Sequence, residues 1–527
     1  MTRARPTRET RETRETTMTE QSRAVDVTTT PDATTTPPTS GNPALCKALD
    51  AAARILGEDR VLRPENDERA TRLLGPNAGL FRTRRVAAVL RPATAGQVPE
   101  LVELFAGDTE SGSLHVVSTG RNWGLGSREP TDDDTVVLDL GGLDKVRELD
   151  LEAGWAVVEP GVTQGHLSRL LAHTPRLVNV TVSAAATSVL GNALDRGVGL
   201  RGQRTDDLAG LEVVLPDGET VRVGWWPTED RTAPVYPHGL GPSPLPLFVQ
   251  SSLGVVTAAV IRLAPRPEAL RVVRLDFPQS ALSAATDAVR RWVAQGLTRG
   301  VPRIYDPAAA RSYGGTEGEF LVHLPVDGTA EAVEALTGIL TAEARRSGLF
   351  TQVTATEAID PAHPNHEVAR LVERGYAGDP DIADVLFRAK MGVPADRVDA
   401  EAGFVFFLPL LPFTGADVSR ADGLLREAAA ATGTRLSATL HLLGPDLIDC
   451  VVAMKFPREG DAPERAHRAL DLLHTSFADA GFAPYRLDVD HAHRRDALAA
   501  DPGALALTRR LKAVLDPNNA IAPGRYR

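Results

Sequence analysis

The chain contains very little cysteine and has no long apolar stretch. Its 527 residues include only Cys46 and Cys450, which lie far apart. Two isolated thiols form neither a disulfide framework nor the clustered spacing of a metal site, so we predict no metal centre and a reducing, cytoplasmic location. No apolar run is long enough to span a bilayer, and the first residues lack the apolar core that a secretory signal needs.

Basic runs are also missing from the part of the chain that we expect to fold, and the formal net charge is −11 at pH 7. Proteins that bind nucleic acid or anionic membranes present a basic surface. We therefore expect a small-molecule substrate as the partner, with no role for nucleic acid or a membrane.

The N-terminal stretch lacks the apolar residues that a folded core needs. Arg-Glu-Thr occurs three times within residues 8–16, and a tract rich in Thr and Pro runs from Val27 to Pro43. Such a composition buries too little apolar surface to offset the entropy lost on ordering. We predict a disordered tail over residues 1–42, in which Met18 is a second candidate for the start of the protein.

A glycine-rich segment is the most distinctive feature that the chain does have. It reads Ser118-Thr-Gly-Arg-Asn-Trp-Gly-Leu-Gly-Ser127 and follows a predicted strand, Leu114–Val117. Its glycines allow a tight turn in which successive N–H groups hold an anion, and its arginine adds a positive charge. The spacing is neither the Rossmann dinucleotide pattern nor a P-loop. A glycine-rich hairpin that binds nothing would look the same, so this segment alone leaves both interpretations open.

The remaining pattern divides the chain into two regions. Residues 80–225 combine short strands and glycine turns with few helices, which is typical of an α+β fold. Residues 271–456 alternate strands with amphipathic helices and are interpreted as a second domain. In strand 436–442 the leucines and Ala438 face one side, and Ser437, Thr439 and His441 face the other. We predict helices over residues 43–56, 95–105, 164–172, 281–295, 329–347, 418–432, 463–480 and 502–515. We predict strands over 85–91, 114–117, 136–140, 145–150, 155–159, 208–215, 220–223, 255–263, 272–277, 320–324, 404–408, 436–442 and 451–456.

Taken in order, five segments of the chain resemble the vanillyl-alcohol oxidase / p-cresol methylhydroxylase (PCMH) family of FAD enzymes. The segments are Ser118–Gly126, Val158–Val162, Ser188–Gly199, Gln250–Thr257 and Leu515–Gly524. The resemblance implies an α+β fold: a PCMH-type FAD-binding domain of two α+β subdomains, plus a cap domain with an antiparallel sheet covered by helices. It implies an FAD-binding domain over residues 43–268, a cap over 269–484, and a C-terminal segment, 485–527, that returns to the FAD-binding domain.

The same resemblance implies which residues bind FAD. The 118–126 loop would hold the pyrophosphate, 188–199 would pass beside the flavin, and 250–257 would reach the adenine side. A glycine loop with an arginine is also the cradle expected for two phosphate charges. The residues assigned to FAD are Ser118, Thr119, Gly120, Arg121, Asn122, Gly124, Leu125, Gly126, Pro160, Gly161, Ser183, Ser188, Gly191, Asn192, Gly197, Gly199, Val255, Val256 and Arg525.

Three residues are candidates for catalysis. Tyr485-Arg486 matches by position the pair that binds phenolate in the phenol-oxidising members of the family. Arginine can hold negative charge on a substrate oxygen or on reduced flavin, and tyrosine can donate to the same oxygen. His441, on the polar face of a cap strand, is the candidate base. In the alternative interpretation Tyr485 is a core residue, Arg486 pairs with Asp488 or Asp490 at the surface, and His441 faces solvent.

The chain departs from the family pattern at three positions. Leu125 stands where the phenol oxidases have a second tyrosine, so their phenolate clamp is incomplete. Ser183 falls nearest to the position of an aspartate beside flavin N5, and a hydroxyl cannot handle protons as a carboxylate does. Phe404 stands at about the position of the histidine that attaches the flavin covalently. We therefore predict non-covalent FAD.

These observations favour an FAD-dependent oxidoreductase of secondary metabolism, which transfers a hydride from an organic alcohol or an allylic or benzylic carbon to flavin N5. O2 is a candidate electron acceptor, and a homo-oligomer is a candidate assembly. Because three of the family's catalytic groups are absent, two alternatives stay open. One is a flavin-scaffold enzyme that catalyses a non-redox cyclisation by proximity and orientation. The other is a non-catalytic FAD-binding protein.

Overall fold

The strands of the chain assemble into three large sheets and one short pair among the residues described by the structure. The structure is a computed structural model that describes residues 42–64, 77–228, 234–356, 359, 361–363, 365–379, 381–498 and 501–526. The predicted tail over residues 1–42 lies outside these ranges except for Asn42. No helix in the described ranges has both the length and the apolar character required to cross a bilayer.

The helices and strands are numbered here in chain order. The helices are α1 Pro43–Leu56, α2 Val98–Ala106, α3 Gln164–Leu170, α4 Val189–Leu194, α5 Leu282–Ala294, α6 Pro307–Ala310, α7 Ala330–Ser347, α8 His366–Tyr376, α9 Asp381–Met391, α10 Val398–Glu401, α11 Gly415–Thr432, α12 Ala462–Asp479 and α13 Pro502–Leu515. The strands are β1 Val61–Leu62, β2 Val86–Leu90, β3 Leu114–Val117, β4 Thr135–Asp139, β5 Val146–Asp150, β6 Trp155–Val158, β7 Arg176–Leu177, β8 Leu208–Val214, β9 Thr220–Gly224, β10 Val255–Arg262, β11 Ala264–Pro265, β12 Ala269–Phe277, β13 Arg303–Tyr305, β14 Phe320–Gly328, β15 Gln352–Ala355, β16 Phe404–Phe407, β17 Leu410–Pro412, β18 Leu436–Leu442 and β19 Leu447–Lys455.

The first sheet has the strand order β1-β2-β4-β3 and carries the glycine-rich loop. Strands β3 and β4 are parallel neighbours, as are β2 and β4. The segment that joins β3 to β4 therefore crosses from one end of the sheet to the other, so it is not a hairpin. The hairpin alternative for residues 118–127 is excluded by this pairing.

The second sheet is antiparallel, with the order β5-β6-β10-β8-β9. All seven residues of β8 are buried, and β10 is buried up to its last residue, Arg262. Continuous apolar runs of this kind suit central strands that are covered on both faces. The edge strand β9 instead alternates, with Thr220 and Arg222 exposed.

The third sheet lies in the second half of the chain and runs β15-β12-β14-β13-β18-β19-β16, with β17 paired to β19. Its strand pairs among the described residues are all antiparallel. The side chains of Leu440, Cys450 and Val452 point from one face into a large core shared with α5, α7, α11 and α12. Residues at the alternate positions, such as Thr439 and His441, occupy the opposite face. We call this structure the cap sheet.

The last residues of the chain return to the first sheet. Ile521 forms a parallel bridge with Leu114 at the start of β3. The buried ammonium of Lys512 donates to the carbonyls of Ser252 and Ile521 and to the carboxylate of Asp516. A buried charge is stable only when it is paired and hydrogen-bonded, so this lysine fixes α13 and the following turn onto the segment that precedes β10.

Most of the predicted elements are present, and two of the differences have a physical reason. The helix over 43–56 and the strand over 436–442 have the predicted bounds. β13 was missed because it is three residues long and carries a charged residue, Arg303, beside a buried isoleucine. β19 begins at Leu447, four residues before the predicted 451, because a carboxylate, Asp449, interrupts its apolar run.

Candidate active site

A cavity of about 260 Å³ lies where the first two sheets meet the C-terminal residues. Thirteen of the residues predicted to bind FAD line it: Ser118, Thr119, Gly120, Arg121, Asn122, Pro160, Ser183, Ser188, Gly191, Asn192, Val255, Val256 and Arg525. The three segments that were predicted to hold pyrophosphate, flavin and adenine therefore meet around one space. We call this space the cofactor cavity.

Ser188 holds three of these segments together. Its hydroxyl donates to the carbonyl of Pro160 at 2.6 Å and accepts from the N–H of Gly191 at 2.9 Å, which caps α4. Its own N–H donates to Thr119 Oγ1 at 3.2 Å, in the glycine-rich loop. A Cβ on Gly191 would overlap the hydroxyl of Ser118, so glycine is required for this close approach.

The walls of the cofactor cavity fit an anionic, polar ligand such as FAD. Three buried polar atoms of residues that line it have no partner among the described residues: Arg121 Nε, Asn192 Oδ1 and Arg525 Nη1. More than nine in ten buried polar groups in proteins are hydrogen-bonded, so a cluster of unpartnered groups around one cavity indicates a ligand. Two of these residues, Arg121 and Arg525, offer cationic donors, which suit a diphosphate and the flavin carbonyls.

Three predicted cofactor residues in the glycine-rich loop do not line the cavity. A Cβ on Gly124 would meet the ring of Phe406, so the loop packs against the cap sheet at this point. Leu125 is buried, and its carbonyl accepts from the N–H of Val489. Gly126 has a φ of +61°, which favours glycine. These three residues shape the turn and do not line the cofactor cavity.

The remaining predicted glycines also act through the backbone. Gly161 packs against the carbonyl of Gly141, where a Cβ has no room. Gly199 packs in the same way against Asn179. Gly197 lies beside Asn192 and lines a second, adjoining cavity.

The second cavity, of about 150 Å³, lies between the cofactor cavity and the cap sheet. The two cavities share Arg121, Asn122, Ser183 and Asn192. The side chains that line the second one include Trp123, Phe387, Phe404, Phe406, Arg303, Tyr313, Thr439, His441, Asp449, Tyr485 and Arg486. All three predicted catalytic residues thus face one space next to the cofactor cavity, which we call the substrate cavity.

Arg486 is buried and pairs with Asp195, which differs from the surface pairing considered as an alternative. Its Nε donates to the Asp195 carbonyl and lies 3.5 Å from the Asp195 carboxylate. Burial disfavours its charge, but the Asp195 carboxylate and the adjacent Tyr485 raise the pKa of Arg486 above its ordinary value. The guanidinium therefore stays charged at the junction of the two cavities.

Asp195 was missed as a site residue, although it lies within the Ser188–Gly199 segment. Its carboxylate accepts from Asn122 Nδ2 at 3.0 Å and from the Tyr526 hydroxyl at 2.6 Å. With Arg486, it joins the glycine-rich loop to two C-terminal segments. An acidic residue inside a segment already assigned to the flavin was the signal that could have identified it.

His441, Asp449 and Tyr485 form a polar cluster on the cap wall. His441 Nδ1 lies 3.0 Å from Asp449 Oδ2, and the Tyr485 hydroxyl donates to the same oxygen at 3.4 Å. Asp449 is 1% exposed, and its Oδ1 has no partner in the described chain. Burial, followed by the Asp449 carboxylate, raises the pKa of Tyr485, so its hydroxyl stays protonated. Asp449 was not predicted, because its strand was expected to begin two residues later.

The three departures from the family pattern occupy different places. Leu125 lies in the packed interior, away from the substrate cavity. Ser183 lines both cavities, and its Oγ accepts from Thr187 Oγ1 at 3.1 Å. Phe404 lines the substrate cavity with its ring 5.2 Å from that of Phe406. A phenyl ring offers no nucleophile for attachment to a flavin.

Comparisons with known proteins identify an FAD binding domain and full-length relatives. Residues 86–224 match the family model described as an FAD binding domain. The chain is 29% identical to the 1'-carboxy-chondrochloren decarboxylase of Chondromyces crocatus, over 91% of this chain and 97% of that protein. It is 26% identical to the 4-cresol dehydrogenase [hydroxylating] flavoprotein subunit of Pseudomonas putida, over 91% of this chain and 95% of that protein.

Solved structures show the same fold. A structure of p-cresol methylhydroxylase with substrate bound superposes with a TM-score of 0.80 at 23% identity, over 92% of this chain and 96% of that one. An isoeugenol complex of 4-ethylphenol oxidase from Gulosibacter chungangensis superposes with a TM-score of 0.81 at 19% identity, over 93% of this chain and 98% of that one. The predicted α+β fold and the prediction of FAD are confirmed. Residues 86–224 thus contain an FAD binding domain, and the chain is similar to PCMH-type flavoproteins over about nine-tenths of its length.

Proposed function

We propose that the protein oxidises an organic alcohol, or an allylic or benzylic carbon, by hydride transfer to FAD. The observation that carries this proposal is the His441–Asp449–Tyr485 cluster, which faces the substrate cavity directly beside the cofactor cavity. FAD, when bound, supplies the hydride acceptor. Everything else that the reaction needs is provided by side chains of the two cavities.

The cluster is suited to removing a proton from a substrate hydroxyl. Asp449 fixes the orientation of the His441 ring through Nδ1 and stabilises the ring once it is protonated, as a carboxylate does in a catalytic triad. His441 is then the general base. Tyr485 stays protonated and orients the substrate oxygen, while Arg486 stabilises negative charge at the flavin side of the cavity.

The cofactor is proposed to be held without a covalent bond. Phe404 occupies the cap position where the family resemblance implies an attachment histidine, and its ring cannot form that bond. Acid precipitation of the purified yellow protein tests this proposal, because non-covalent FAD passes into the supernatant. Flavin that stays in the pellet after washing would contradict it.

A second candidate is oxidation coupled to loss of a carboxyl group. The relative from Chondromyces crocatus, which matches over nearly the full length, is named a decarboxylase. If the substrate is a β-hydroxy acid, loss of the hydride and the hydroxyl proton gives a β-keto acid. That acid releases CO2, and the electron pair of the broken bond takes up a proton.

One experiment separates these reactions from the non-redox cyclisation. Phenols, alcohols and hydroxy acids are mixed anaerobically with the FAD-bound protein, and product mass is determined for each compound that bleaches the flavin. Simple oxidation removes two hydrogens, oxidative decarboxylation removes CO2 as well, and cyclisation changes neither mass nor flavin colour. Oxygen uptake on reoxidation tests O2 as the acceptor. A screen in which turnover never bleaches the flavin would overturn the redox proposal.

A further inference from the structure

A row of five ionisable residues crosses the cap sheet on the face that is turned to the substrate cavity. In order along the row they are Arg274, His323, Arg303, His441 and Asp449, and each is the direct register partner of the next. Neighbouring strands lie about 4.8 Å apart, so Arg303 and Asp449 are roughly 10 Å apart at the backbone. Arg303, His441 and Asp449 line the cavity.

Arg303 is a buried cation without an anionic partner. It is 2% exposed, its Nε has no hydrogen-bond partner, and it forms no ion pair with any described residue. Burial opposes its charge, yet the neighbouring tyrosine hydroxyls, Tyr305 first, hold the pKa of Arg303 above its ordinary value. A guanidinium is in any case always protonated in proteins. Buried charges are normally paired, so a charge left unpaired against a cavity indicates a missing anion.

The other arginines near the cavity have partners or another role. Arg486 is paired with Asp195. Arg121 also lines the cofactor cavity, where a diphosphate would neutralise it. Arg274 donates to the carbonyl of Tyr313 at 2.7 Å and lies 3.1 Å from His323 Nε2.

His323 does not supply the missing negative charge. Its ring is neutral, so the positive charges of Arg274 and Arg303 on either side of it are not compensated. Burial, followed by Arg274 and Arg303, lowers the pKa of His323 well below its ordinary value. The ring is therefore neutral, and two buried guanidinium groups flank it. The row is positive at the Arg274–Arg303 end and carries a carboxylate at the Asp449 end.

We propose that Arg303 binds a carboxylate of the substrate, which makes the substrate an aromatic acid. This inference rests on the proposed function, because it takes the second cavity as the place where the substrate binds. The planar fork of arginine matches the two oxygens of a carboxylate. The aromatic walls, Trp123 and Phe404 among them, suit a ring. The charge order along the row places the acid at Arg303 and the reacting carbon near His441, since Asp449 repels the acid.

A pair of probes that differ in one charge tests the inference without turnover. 4-Hydroxycinnamate and 4-hydroxycinnamyl alcohol are titrated anaerobically into protein whose FAD has been reduced with dithionite, so that no hydride can be transferred, and binding is measured by isothermal titration calorimetry. The acid is expected to bind ~10-fold or more tightly than the alcohol, the size expected for a charge-assisted hydrogen bond. Arg303→Met is expected to remove this preference and leave the affinity for the alcohol within about twofold. Arg303→Lys retains the charge without the fork and should show an intermediate preference.

Arg290→Met is the matched control. Arg290 lies on α5, on the other side of the cap sheet, and binds Asp446. Its replacement should leave both affinities unchanged, with FAD content and circular dichroism showing that each variant is folded. Equal affinities of the wild-type protein for acid and alcohol would overturn the inference, and this measurement does not depend on whether Arg303→Met folds. Tight acid binding without flavin reduction by any compound would contradict the proposed function alone.

Discussion

Two buried histidine–aspartate groups in the described part of the chain differ in how completely their polar atoms are satisfied. In the first, His441 and Asp449 face the substrate cavity, and Asp449 Oδ1 has no partner among the described residues. In the second, Asp488 lies between His474 and His491, at 3.2 Å and 2.9 Å, away from both cavities. We call the first pair the open group, because its carboxylate keeps an unpartnered oxygen beside a cavity. We call the second set the closed group, because its carboxylate is fully hydrogen-bonded.

The closed group explains how the segment after Tyr485-Arg486 is held. Asp488 also accepts from the backbone N–H groups of Asp490 and His491, and its two histidine rings stack 4.1 Å apart. The ligand atoms of His474, Asp488 and His491 lie within 4.8 Å of one another, a separation that a metal ion could also bridge. Their mutual hydrogen bonds already satisfy the carboxylate. We infer that a satisfied group of this kind contributes stability, whereas an unsatisfied one beside a cavity is available for chemistry.

Replacing His441 with Gln should give the largest effect. General-base catalysis contributes about 10²- to 10⁴-fold, so the rate of anaerobic flavin reduction should fall by roughly that factor. Thermal stability should change little, because the ring borders a cavity. Stopped-flow absorbance measures the rate, and a variant that reduces flavin at the wild-type rate would show that the open group is not catalytic.

Asp488→Asn should act on stability instead. Removing one partner of a buried ion pair costs about 3–5 kcal/mol, so the free energy of unfolding should fall by about that amount. Denaturant unfolding measures this change. Flavin reduction by the folded fraction should stay close to wild type, and a selective loss of activity would place the closed group in the reaction.

The pH dependence of stability should follow from the same carboxylate. Burial disfavours its charge, but the bonds from His474 and His491 hold the pKa of Asp488 well below its ordinary range. The contribution of Asp488 to the free energy of unfolding is complete above about pH 3.9, the pKa of aspartate in the unfolded chain. It is lost as the pH falls through the lower pKa of the folded state. The difference in melting temperature between wild type and Asp488→Asn should thus narrow below about pH 4.

Titration of His491 should also reduce the difference in melting temperature between wild type and Asp488→Asn, in this case as the pH rises. Burial opposes its charge, but Asp488 and Asp471 raise the pKa of His491 above its ordinary value. The contribution of protonated His491 to the free energy of unfolding is complete below about pH 6.5, the pKa of histidine in the unfolded chain. It is lost as the pH rises through the higher pKa of the folded state. A difference in melting temperature that is flat from acid to alkaline pH would mean that the closed group does not titrate as an ion pair.

Tyr485→Phe should have the smallest effect. The hydroxyl lies 3.4 Å from Asp449, so the bond that it donates is long. A neutral hydrogen bond contributes about 0.5–1.5 kcal/mol, which predicts a two- to tenfold slower flavin reduction at unchanged stability. A loss as large as that of His441→Gln would mean that the tyrosine takes part in proton transfer.

The sequence predicted local structure well where pattern and burial agree. The strand over 436–442 alternates, and its two faces meet the core and the cavity as expected. Motif order similarly predicted cofactor residues, thirteen of which line the cofactor cavity. Asp449 and Arg303 were not predicted, because single charges within short apolar strands resemble interruptions. Their roles depend on register between β13, β18 and β19, which is a long-range property.

The C-terminal contribution to the cofactor cavity has a consequence for biosynthesis. Arg525 reaches Ser127 Oγ at 3.2 Å across 398 residues of chain, and Tyr526 bonds Asp195. These two residues are synthesised late. The glycine-rich loop, the first two sheets and the cap sheet all precede them in the chain. The walls of the cavity are therefore complete only after Tyr526 has been added, so we expect FAD to bind after the cap sheet has been synthesised.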